Sequence, residues 1–430
     1  MTGSGASTAL LTDHYELTMV AAALAAGTAD RRCVFETFAR RLPDGRRYGI
    51  VGGTARVIEA IADFTFGDDE LRELADHEVV DAATLDWLAN YRFRGDVDGY
   101  PEGELYFPGS PLFTVRGTFA EAVLLETLVL SILNHDSAIV SAGARMVSAA
   151  NGRPIIEMGG RRTHERAAVS SARAAYLAGF ATTSNLEAGR TYTIPTAGTC
   201  AHAFTLLHDS ERDAFAAQVE ALGSDTTLLV DTYDITQGIE TAIEVAGTGL
   251  GAIRIDSGDV GVLARQARAQ LDALGARNTR IVVSGDLDEN AIAALRAEPV
   301  DAYGVGTSLV TGSGSPTAGM VYKLVEVDGR PVAKRSSHKE SRAGWKAALR
   351  RCKPTGTALE EVVYAVADGT PERGEHDREL VEPMLRGGQP VGDPPTLDES
   401  RQRVRDGLVS LPWEGLKLSH GEPAIPTVYQ

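Results

Sequence analysis

The sequence predicts an α/β fold built around a parallel sheet that closes, or nearly closes, into an irregular barrel. In the third quarter of the chain, short apolar segments alternate with longer segments of helical periodicity, and this alternation predicts consecutive right-handed βαβ units. Each apolar segment ends in Asp, Ser or Gly, as strands do where they enter loops. Earlier strand-like segments end at Gly159, Ala181 and Ala197, which favours a barrel over an open sheet. The predicted strands are 228–230, 252–255, 281–283 and 302–305, and the predicted helices between them are 235–246, 260–274 and 289–297.

The elements before and after this region are predicted from periodicity and from the positions of Gly and Pro. Residues 1–7 are small and polar, which predicts disorder. Thr12 or Asp13 can cap a helix that ends at Gly27, and Asp328-Gly329 predicts a hairpin turn. The remaining predictions are strands at 33–38, 155–157 and 321–327, helices at 52–61, 70–91, 119–150 (interrupted at Asn134-His135-Asp136), 165–177 and 401–411, and a linker at 387–396.

The composition indicates a folded protein with an acidic surface. Of the 430 residues, 43% are hydrophobic, and 42 basic against 59 acidic residues give a formal net charge of −17. This charge argues against non-specific binding to nucleic acid or to anionic membranes, although a pocket rich in Arg can still bind an anion. Three widely spaced cysteines indicate neither a disulfide framework nor a zinc knuckle. The apolar stretch at 17–26 is too short to span a bilayer, so we expect a cytoplasmic protein.

His202 follows a stretch of small residues (AGTCA, 197–201) where a loop is predicted to enter a helix. An isolated histidine at such a point most often caps or packs a helix. A metal site has less support, because Cys200 and His202 lack the partners of the common zinc patterns. A nucleophilic role fits the chemistry, since neutral imidazole attacks phosphorus and a helix N-terminus stabilises an attached phosphate.

Two glycine-containing segments, 304–308 (GVGTS) and 311–315 (TGSGS), are candidate phosphate-binding loops. Gly allows backbone N–H groups to approach phosphate oxygens, and the hydroxyls add donors. Ordinary flexible turns have the same composition. The patterns GxGxxG and GxxxxGK[ST] are both absent, so a Rossmann or P-loop site is not indicated. Gly285-Asp286, one βα unit earlier, strengthens the phosphate interpretation.

Charged residues stand at or near several predicted strand ends. Carboxylates there can ligate Mg²⁺ or hold the two hydroxyls of a ribose. Capping of the following helix is the alternative, above all for Asp259 and Asp286. Arginines at strand ends need anionic partners when they are buried, and a substrate anion is a natural one. The residues in question are Asp231, Asp256, Asp259, Asp286, Arg161, Arg162 and Arg254.

Taken together, these segments resemble the nicotinate phosphoribosyltransferase family over most of the chain. No single segment is specific, but their order and spacing are. The resemblance implies the type II phosphoribosyltransferase fold, in which an irregular α/β barrel joins an α/β sandwich. It assigns 1–130 to the N-terminal part of the sandwich, 131–330 to the barrel with the active site, and 331–430 to a segment that returns to the sandwich. The segments that carry it are 12–19 (TDHYELTM), 35–38 (FETF), 157–162 (EMGGRR), 179–185 (GFATTSN), 198–202 (GTCAH), 253–259 (IRIDSGD), 284–286 (SGD) and 303–311 (YGVGTSLVT).

The resemblance also implies an activity. Nicotinate and 5-phosphoribosyl 1-diphosphate would give nicotinate mononucleotide and diphosphate, a step of NAD salvage. ATP hydrolysis would be coupled through a phosphohistidine with Mg²⁺ present, in a homodimer with shared active sites. By position, the resemblance implies His202 as the phosphorylated histidine, Arg254 and Arg161 near the substrate, Thr199 as a nicotinate contact, Tyr15 as a cover for the pyridine ring from the partner subunit, Asp256 as a ribose ligand, and Gly285, Asp286, Gly306 and Thr307 as loops beside the 5-phosphate and ribose.

Ser184 bears on the choice of substrate. The related nicotinamide enzyme has Asp at the matching point, where it accepts from the amide. Asp would repel the carboxylate of nicotinate, whereas Ser can donate to it, so Ser184 favours nicotinate. The alternatives are a quinolinate or nicotinamide phosphoribosyltransferase and a non-catalytic, ligand-sensing relative. The GTCAH segment argues against the quinolinate enzyme, and the presence of His202 and Arg254 argues against a non-catalytic relative.

Overall fold

A computed structural model describes residues 7–334 and 341–430 of the chain. The chain forms two compact units, one made of Met1–Ser141 together with Ser315–Gln430 and the other of Ala142–Gly314. Residues 1–6, which belong to the segment predicted to be disordered, lie outside the described residues.

Several α-helices begin after a residue whose side chain caps the first turn, although Asp13, at the start of the first helix, makes no capping hydrogen bond. In chain order they are α1 (His14–Ala25), α2 (Thr54–Ala62), α3 (Asp68–Asp76), α4 (Ala82–Ala89), α5 (Phe119–Val123), α6 (Glu126–Ala150), α7 (Glu165–Ala178), α8 (Leu186–Tyr192), α9 (His202–Leu207), α10 (Glu211–Leu222), α11 (Ile235–Ala246), α12 (Val260–Ala273), α13 (Glu289–Ala294), α14 (Thr307–Val310) and α15 (Leu397–Ser410). Gly27 follows α1 at a φ of 66°, as the predicted helix end requires. Asp259 accepts from a backbone N–H in the first turn of α12, which confirms capping for that residue. Asp288, and not Asp286, caps α13 in the same way.

The strands are mostly short, and the two units use them differently. In chain order they are β1 (Arg32–Ala39), β2 (Gly49–Ile50), β3 (Asp96–Gly99), β4 (Leu105–Tyr106), β5 (Phe113–Thr118), β6 (Ile155–Glu157), β7 (Thr182–Thr183), β8 (Thr227–Leu229), β9 (Ala252–Ile255), β10 (Arg280–Val283), β11 (Ala302–Val305), β12 (Met320–Val327), β13 (Arg330–Pro331), β14 (Lys346–Cys352), β15 (Ala358–Ala365), β16 (Arg378–Glu379), β17 (Glu382–Arg386), β18 (Gln389–Pro390) and β19 (Thr427–Tyr429).

The first unit contains a seven-stranded antiparallel sheet in the order β13-β12-β1-β5-β3-β17-β18. Seven of the eight residues of the central strand β1 are buried, and its Phe35 stacks on Tyr322 of β12 with ring centroids 4.9 Å apart. The β12–β13 hairpin turns at Asp328 and Gly329, both at positive φ, which confirms the predicted turn. The predicted linker at 387–396 is wrong at its start, because two glycines at positive φ close a β17–β18 hairpin there.

A buried ion cluster ties distant parts of the first unit together. Arg350 of β14 is fully buried and donates to Glu104 and to Glu361, each at 2.6 Å. The Tyr100 hydroxyl donates to Glu361 at 2.7 Å, and Arg378 pairs with Glu104 at 2.9 Å. Burial disfavours the charge of Arg350, but the attraction of the two carboxylates outweighs it and raises the pKa of Arg350 above its usual value.

Replacement of Arg350 by Met is expected to destabilise the first unit strongly. Glu361 would lose its cation and Glu104 would lose one of its two, which costs about 3–5 kcal/mol. Arg351, the next residue, is the matched control, because it is partly exposed and pairs with a partly exposed Glu360 at 3.2 Å. Its replacement by Met is expected to cost about 0–1 kcal/mol. Denaturant midpoints of the two variants measure the difference, and equal midpoints would contradict the anchoring role of Arg350.

The second unit contains a six-stranded parallel sheet in the order β7-β6-β11-β10-β9-β8. All four strands predicted in the third quarter of the chain are present within one residue of their predicted bounds. Helices α11 and α12 connect β8 to β9 and β9 to β10, as predicted for βαβ units. The sheet is curled into a half-barrel, and no backbone pairing within the described residues joins β8 to β7. The predicted irregular parallel α/β architecture is therefore confirmed, with the ring left open.

Helix α6 runs unbroken through residues 134–136. The predicted interruption at these residues is therefore wrong. The Asp136 carboxylate accepts from Arg56 and is bonded to the His135 ring, each at 2.8 Å, so it does not compete for the helix backbone. Within the described residues, Phe119–Ala150 is long and apolar enough to cross a membrane by length and composition alone. Because 67% of its most apolar window is buried inside the protein, it has the character of a core helix.

Candidate active site

The carboxyl ends of β8, β9 and β10 bring several predicted residues together. Val283 of β10 pairs with Ile255 of β9, so the next residues, Ser284 and Asp256, lie side by side, and the Ser284 hydroxyl donates to Asp256. The backbone N–H of Asp256 in turn donates to Asp231, at the end of β8, at 2.8 Å. The parallel register therefore builds a row of polar side chains along one edge of the sheet.

Arg254 lies at the centre of this row. Its Nη1 donates to the Thr199 hydroxyl at 2.6 Å, and its Nη2 lies 3.5 Å from Asp256 Oδ1. Its Nε is buried and has no hydrogen-bond partner among the described residues. An unsatisfied buried donor costs about 1–3 kcal/mol, so this N–H would be stabilised by an anionic partner.

His202 is the first residue of α9 and faces the same row. Its Nδ1 lies 3.1 Å from the Thr232 hydroxyl, and its Nε2 lies 3.9 Å from Asp231 Oδ1 and 4.0 Å from Asp256 Oδ2. The His202 side chain is 40% exposed, whereas that of Asp231 is 1% exposed. The Oδ1 atom of Asp231 has no hydrogen-bond partner within the described parts of the chain. Nδ1 thus has a protein partner, while Nε2 stays accessible beside two carboxylates.

Two loops follow β10 and β11 at this edge of the sheet. Gly285 has a φ of 100°, and a Cβ there would lie 2.4 Å from the carbonyl oxygen of Asp256, so only Gly fits. Asp286 follows at a φ of 44° and is exposed. Gly306 precedes α14 and Thr307 begins it. The structure thus brings the four predicted loop residues to the edge that carries Arg254 and Asp256.

The loops after β6 and β7 carry Arg161 and Ser184. Both residues are exposed. The Ser184 backbone N–H donates to the carbonyl of Glu157 at 2.8 Å. The Arg161 side chain makes no hydrogen bond or ion pair with any described residue. An exposed cation and a hydroxyl donor therefore stand at neighbouring strand ends of the sheet.

Tyr15 belongs to the first unit, on α1, and its side chain is 45% exposed. Partial burial, with added repulsion from the carboxylates of Glu126 and Glu16, raises the pKa of Tyr15 to about 12. The phenol is therefore neutral at physiological pH and keeps its hydroxyl proton. All the other predicted site residues lie in the second unit.

Three polar residues at the site were not predicted from the sequence. Ser284 had a usable signal, because it ends β10 as Asp256 ends β9. Thr232, the partner of His202, carries no distinguishing pattern. Glu211 begins α10 and has a buried oxygen with no hydrogen-bond partner among the described residues. Burial, together with Asp231 and Asp234, raises the pKa of Glu211 to about 6.

The described residues do not form a protein-only metal cage. They contain no group of three or more His, Cys, Asp or Glu side chains placed to hold a metal ion. Burial raises the pKa of the Cys200 thiol, which disfavours the thiolate that zinc requires. A metal ion bound at this edge would need ligands from a bound substrate in addition to those from the protein.

Two family models match the chain. The nicotinate phosphoribosyltransferase N-terminal domain matches residues 10–134, and the nicotinate phosphoribosyltransferase family model matches residues 154–366. The chain belongs to the nicotinate phosphoribosyltransferase family. The two matched ranges contain every residue predicted for the site, from Tyr15 to Thr307.

Relatives named for this family cover most or nearly all of the chain. Nicotinate phosphoribosyltransferase pncB1 of Mycobacterium tuberculosis is 66% identical over 426 residues, 97% of this chain and 94% of that protein. The nicotinate phosphoribosyltransferase of Bacillus subtilis is 38% identical over 76% of this chain and 69% of that protein. The crystal structure of human nicotinic acid phosphoribosyltransferase matches with a TM-score of 0.84 at 26% identity, over 97% of each chain. The fold class expected from the resemblance is confirmed.

Proposed function

We propose that this chain transfers the phosphoribosyl group of 5-phosphoribosyl 1-diphosphate to nicotinate, and that ATP hydrolysis is coupled to the transfer through His202. The products are nicotinate mononucleotide, which enters NAD synthesis, and diphosphate. Membership of the nicotinate phosphoribosyltransferase family and a 66% identical relative of that name support the proposal. The geometry around Arg254 supports it independently.

The position of Arg254 is the observation that carries the proposal. Thr199 and Asp256 fix its two terminal nitrogens, and the buried Nε–H is left for an anion. The carboxylate of nicotinate is such an anion, and Arg161 adds a second cation from the β6 loop. Donors that are already fixed need no reorganisation when the substrate binds, so they favour one orientation of the pyridine ring.

In the transfer step, the pyridine nitrogen attacks C1 of the ribose as diphosphate leaves. Positive charge develops on the ribose, and the Asp256 carboxylate holds the ribose hydroxyls and stabilises that charge. The 5-phosphate is bound by the two loops at the ends of β10 and β11, through backbone N–H groups and a hydroxyl. The loop residues are Gly285, Asp286, Gly306 and Thr307.

ATP coupling requires a histidine that accepts a phosphoryl group. With Nδ1–H directed at the Thr232 hydroxyl, the Nε2 lone pair of His202 attacks the γ-phosphorus of ATP and ADP leaves. Water then cleaves the N–P bond and releases inorganic phosphate. The phosphoryl group would lie beside Asp231 and Asp256, whose repulsion a divalent cation would screen.

Mg²⁺ fits this arrangement as an ion shared between protein and substrate. Mg²⁺ usually keeps several waters and takes one or two carboxylates plus substrate phosphates. Asp231, with its unpartnered buried oxygen, and Asp256 are the residues that would hold it. When bound, the ion would neutralise charge that develops on the departing diphosphate.

We expect a homodimer whose copies complete each other's sites. Tyr15 motivates this expectation, because it presents a neutral, half-exposed aromatic ring in a unit that holds none of the other predicted site residues. In the dimer it would cover the pyridine ring bound by the other copy. Mixing an inactive Tyr15→Ala chain with an inactive Arg254→Ala chain should restore about a quarter of the activity through one intact site per heterodimer. No recovery would contradict shared sites.

One assay with three acceptors tests the proposed function. The protein is incubated with 5-phosphoribosyl 1-diphosphate, Mg²⁺ and one of nicotinate, nicotinamide or quinolinate, with and without ATP. Conversion of nicotinate, stimulated by ATP, is expected. Preferred conversion of quinolinate with release of carbon dioxide, or binding of nicotinate without turnover, would contradict the proposal and support one of its alternatives.

Replacement of Ser184 by Asp is expected to shift preference from nicotinate toward nicotinamide. A carboxylate at this exposed position repels the nicotinate anion and accepts from an amide, so the ratio of the two kcat/KM values should move by about tenfold or more. Ser184→Asn, which has similar size and no charge, is the matched control and should move the ratio less. An unchanged ratio in Ser184→Asp would exclude Ser184 from substrate selection.

A further inference from the structure

Glu157, the last residue of β6, is a buried carboxylate whose hydrogen bonds all go to loops of the proposed pyridine site. Its Oε1 accepts from the backbone N–H of Gly159, and its Oε2 is bonded to the Thr183 hydroxyl, each at 2.5 Å. Glu157 is 1% exposed and has no ion-pair partner among the described residues. A buried acid without a cation costs free energy, so packing alone does not account for a carboxylate at this point.

The bonds of Glu157 fix two loops at once. Its Oε1 holds the start of the loop that carries Arg161. The Thr183 hydroxyl, bonded to Oε2, also accepts from the backbone N–H of Asn185 at 3.0 Å. Ser184 lies between these two residues, and its own N–H donates to the Glu157 carbonyl at 2.8 Å. Ser184 is therefore held from both sides by one glutamate.

The Arg161 loop is also held by close packing at its first residue. A Cβ at Gly159 would lie 2.3 Å from Val310 of α14 and 3.1 Å from the carbonyl oxygen of Gly306. The Met158 backbone N–H, one residue earlier, donates to the Val305 carbonyl at 2.7 Å. Packing and this backbone bond keep the start of the loop beside α14 and β11, and the bond to Glu157 orients it there.

We propose that Glu157 is a positioning residue for substrate selection, which holds Ser184 and the Arg161 loop at the spacing that fits a pyridine carboxylate. The inference rests on the proposed function, since it assigns these two loops to the nicotinate side. Glu157 does not touch the substrate and acts through the loops. It acts through hydrogen-bond geometry and not through its charge, which burial disfavours by raising the pKa of its carboxyl.

A geometric role makes Gln an adequate replacement. The backbone N–H of Gly159 can only donate, so Oε1 must accept, and the side-chain oxygen of Gln can do this. The bond to Thr183 can run in either direction, so the Gln amide can donate to the Thr183 hydroxyl. Ala at 157 removes both bonds. Val at 183 removes the bonds of this hydroxyl to Glu157 and to the Asn185 backbone N–H with almost no change in shape, whereas Ser at 183 keeps the hydroxyl.

The test compares kinetic constants of Glu157→Ala, Glu157→Gln, Thr183→Val and Thr183→Ser. In Glu157→Ala, the KM for nicotinate is expected to rise about tenfold or more, and in Thr183→Val about threefold. The KM for 5-phosphoribosyl 1-diphosphate should change by less than about twofold in all four variants. In Glu157→Gln and Thr183→Ser, the KM for nicotinate should also stay near the wild-type value. The kcat/KM for nicotinate divided by the kcat/KM for nicotinamide should fall as the KM for nicotinate rises.

Three results would overturn the inference. They are an unchanged nicotinate KM in Glu157→Ala and Thr183→Val, equal rises in the KM values of both substrates, and a Gln variant as impaired as the Ala variant. Should Glu157→Ala not fold, the pair Thr183→Val and Thr183→Ser decides. Wild-type protein that does not convert nicotinate would refute the proposed function itself, whereas wild-type turnover without the expected KM pattern would refute only the role of Glu157.

Discussion

Replacement of His202 by Asn is expected to abolish the stimulation of transfer by ATP while slow, ATP-independent transfer continues. Asn can keep a polar contact to the Thr232 hydroxyl, which lies 3.1 Å from His202 Nδ1, but it cannot accept a phosphoryl group. The transfer itself needs positioned substrates and stabilisation of the leaving group, and the proposal assigns these roles to Arg254, the loops and Mg²⁺, not to His202. The rate with ATP divided by the rate without ATP should therefore fall to about one.

His208 provides the matched control for this variant. It follows α9, six positions after His202, and its Nδ1 lies 2.8 Å from the carbonyl oxygen of Phe204. His208→Asn is expected to keep ATP stimulation. Transfer of labelled phosphate from ATP to the protein gives a second measurement, with label on wild type and His208→Asn and none on His202→Asn. Full ATP stimulation in His202→Asn would refute the assignment of the phosphorylated residue.

Replacement of Arg254 by Ala is expected to lower kcat/KM for nicotinate by about 10²–10³-fold. The change removes the Nη1 group that donates to the Thr199 hydroxyl at 2.6 Å and the Nη2 group that lies 3.5 Å from Asp256. It also removes the Nε–H that we propose as the contact for the substrate carboxylate. Lys at this position keeps the charge but presents one compact ammonium group in place of a planar fork. Arg254→Lys should therefore fall between wild type and Arg254→Ala.

Arg280 is the control for loss of a cation in the same sheet. It begins β10, beside β9, and its side chain is 61% exposed. Arg280→Ala is expected to leave kcat/KM within about twofold of wild type. Thermal midpoints of the variants separate loss of function from loss of fold. Wild-type kcat/KM in a folded Arg254→Ala protein would contradict the central place given to Arg254.

The parallel sheet is predictable from the sequence because its strands are apolar runs that end abruptly in polar residues or Gly. β9 occupies the predicted residues, Ala252–Ile255, and α11 occupies its predicted range, Ile235–Ala246. The strand ends also locate Arg254, Asp256 and Gly285 at one edge, since parallel strands share their carboxyl ends. Local pattern is sufficient for these features because each of them depends on a few consecutive residues.

The contacts within the site are less predictable, because they depend on register and on distant residues. Ser284 becomes a partner of Asp256 only because Val283 pairs with Ile255. The unbroken course of α6 has the same kind of cause, since Asp136 is satisfied by Arg56, which is 80 positions away. The half-open curl of the sheet likewise depends on which strands pair, and this pairing cannot be predicted from any single segment.

The proposed activity itself came from the order and spacing of several segments, not from any one residue. From residue chemistry alone, His202 could cap a helix, and the glycine loops could be ordinary turns. The structure places both at the edge that carries Arg254 and Asp256, and the family matches cover all of them. Roles of the individual residues stay predictions, which the variants described above address.

Product analysis of a single reaction tests the central claim most directly, namely that the site around Arg254, Asp256 and His202 joins nicotinate to phosphoribose. Folded wild-type protein is supplied with nicotinate, 5-phosphoribosyl 1-diphosphate and Mg²⁺, with and without ATP, and the products are separated by chromatography. Nicotinate mononucleotide and diphosphate should form in equal amounts, and ATP should increase both while ADP and phosphate appear. Failure to form nicotinate mononucleotide with every component present would contradict the account.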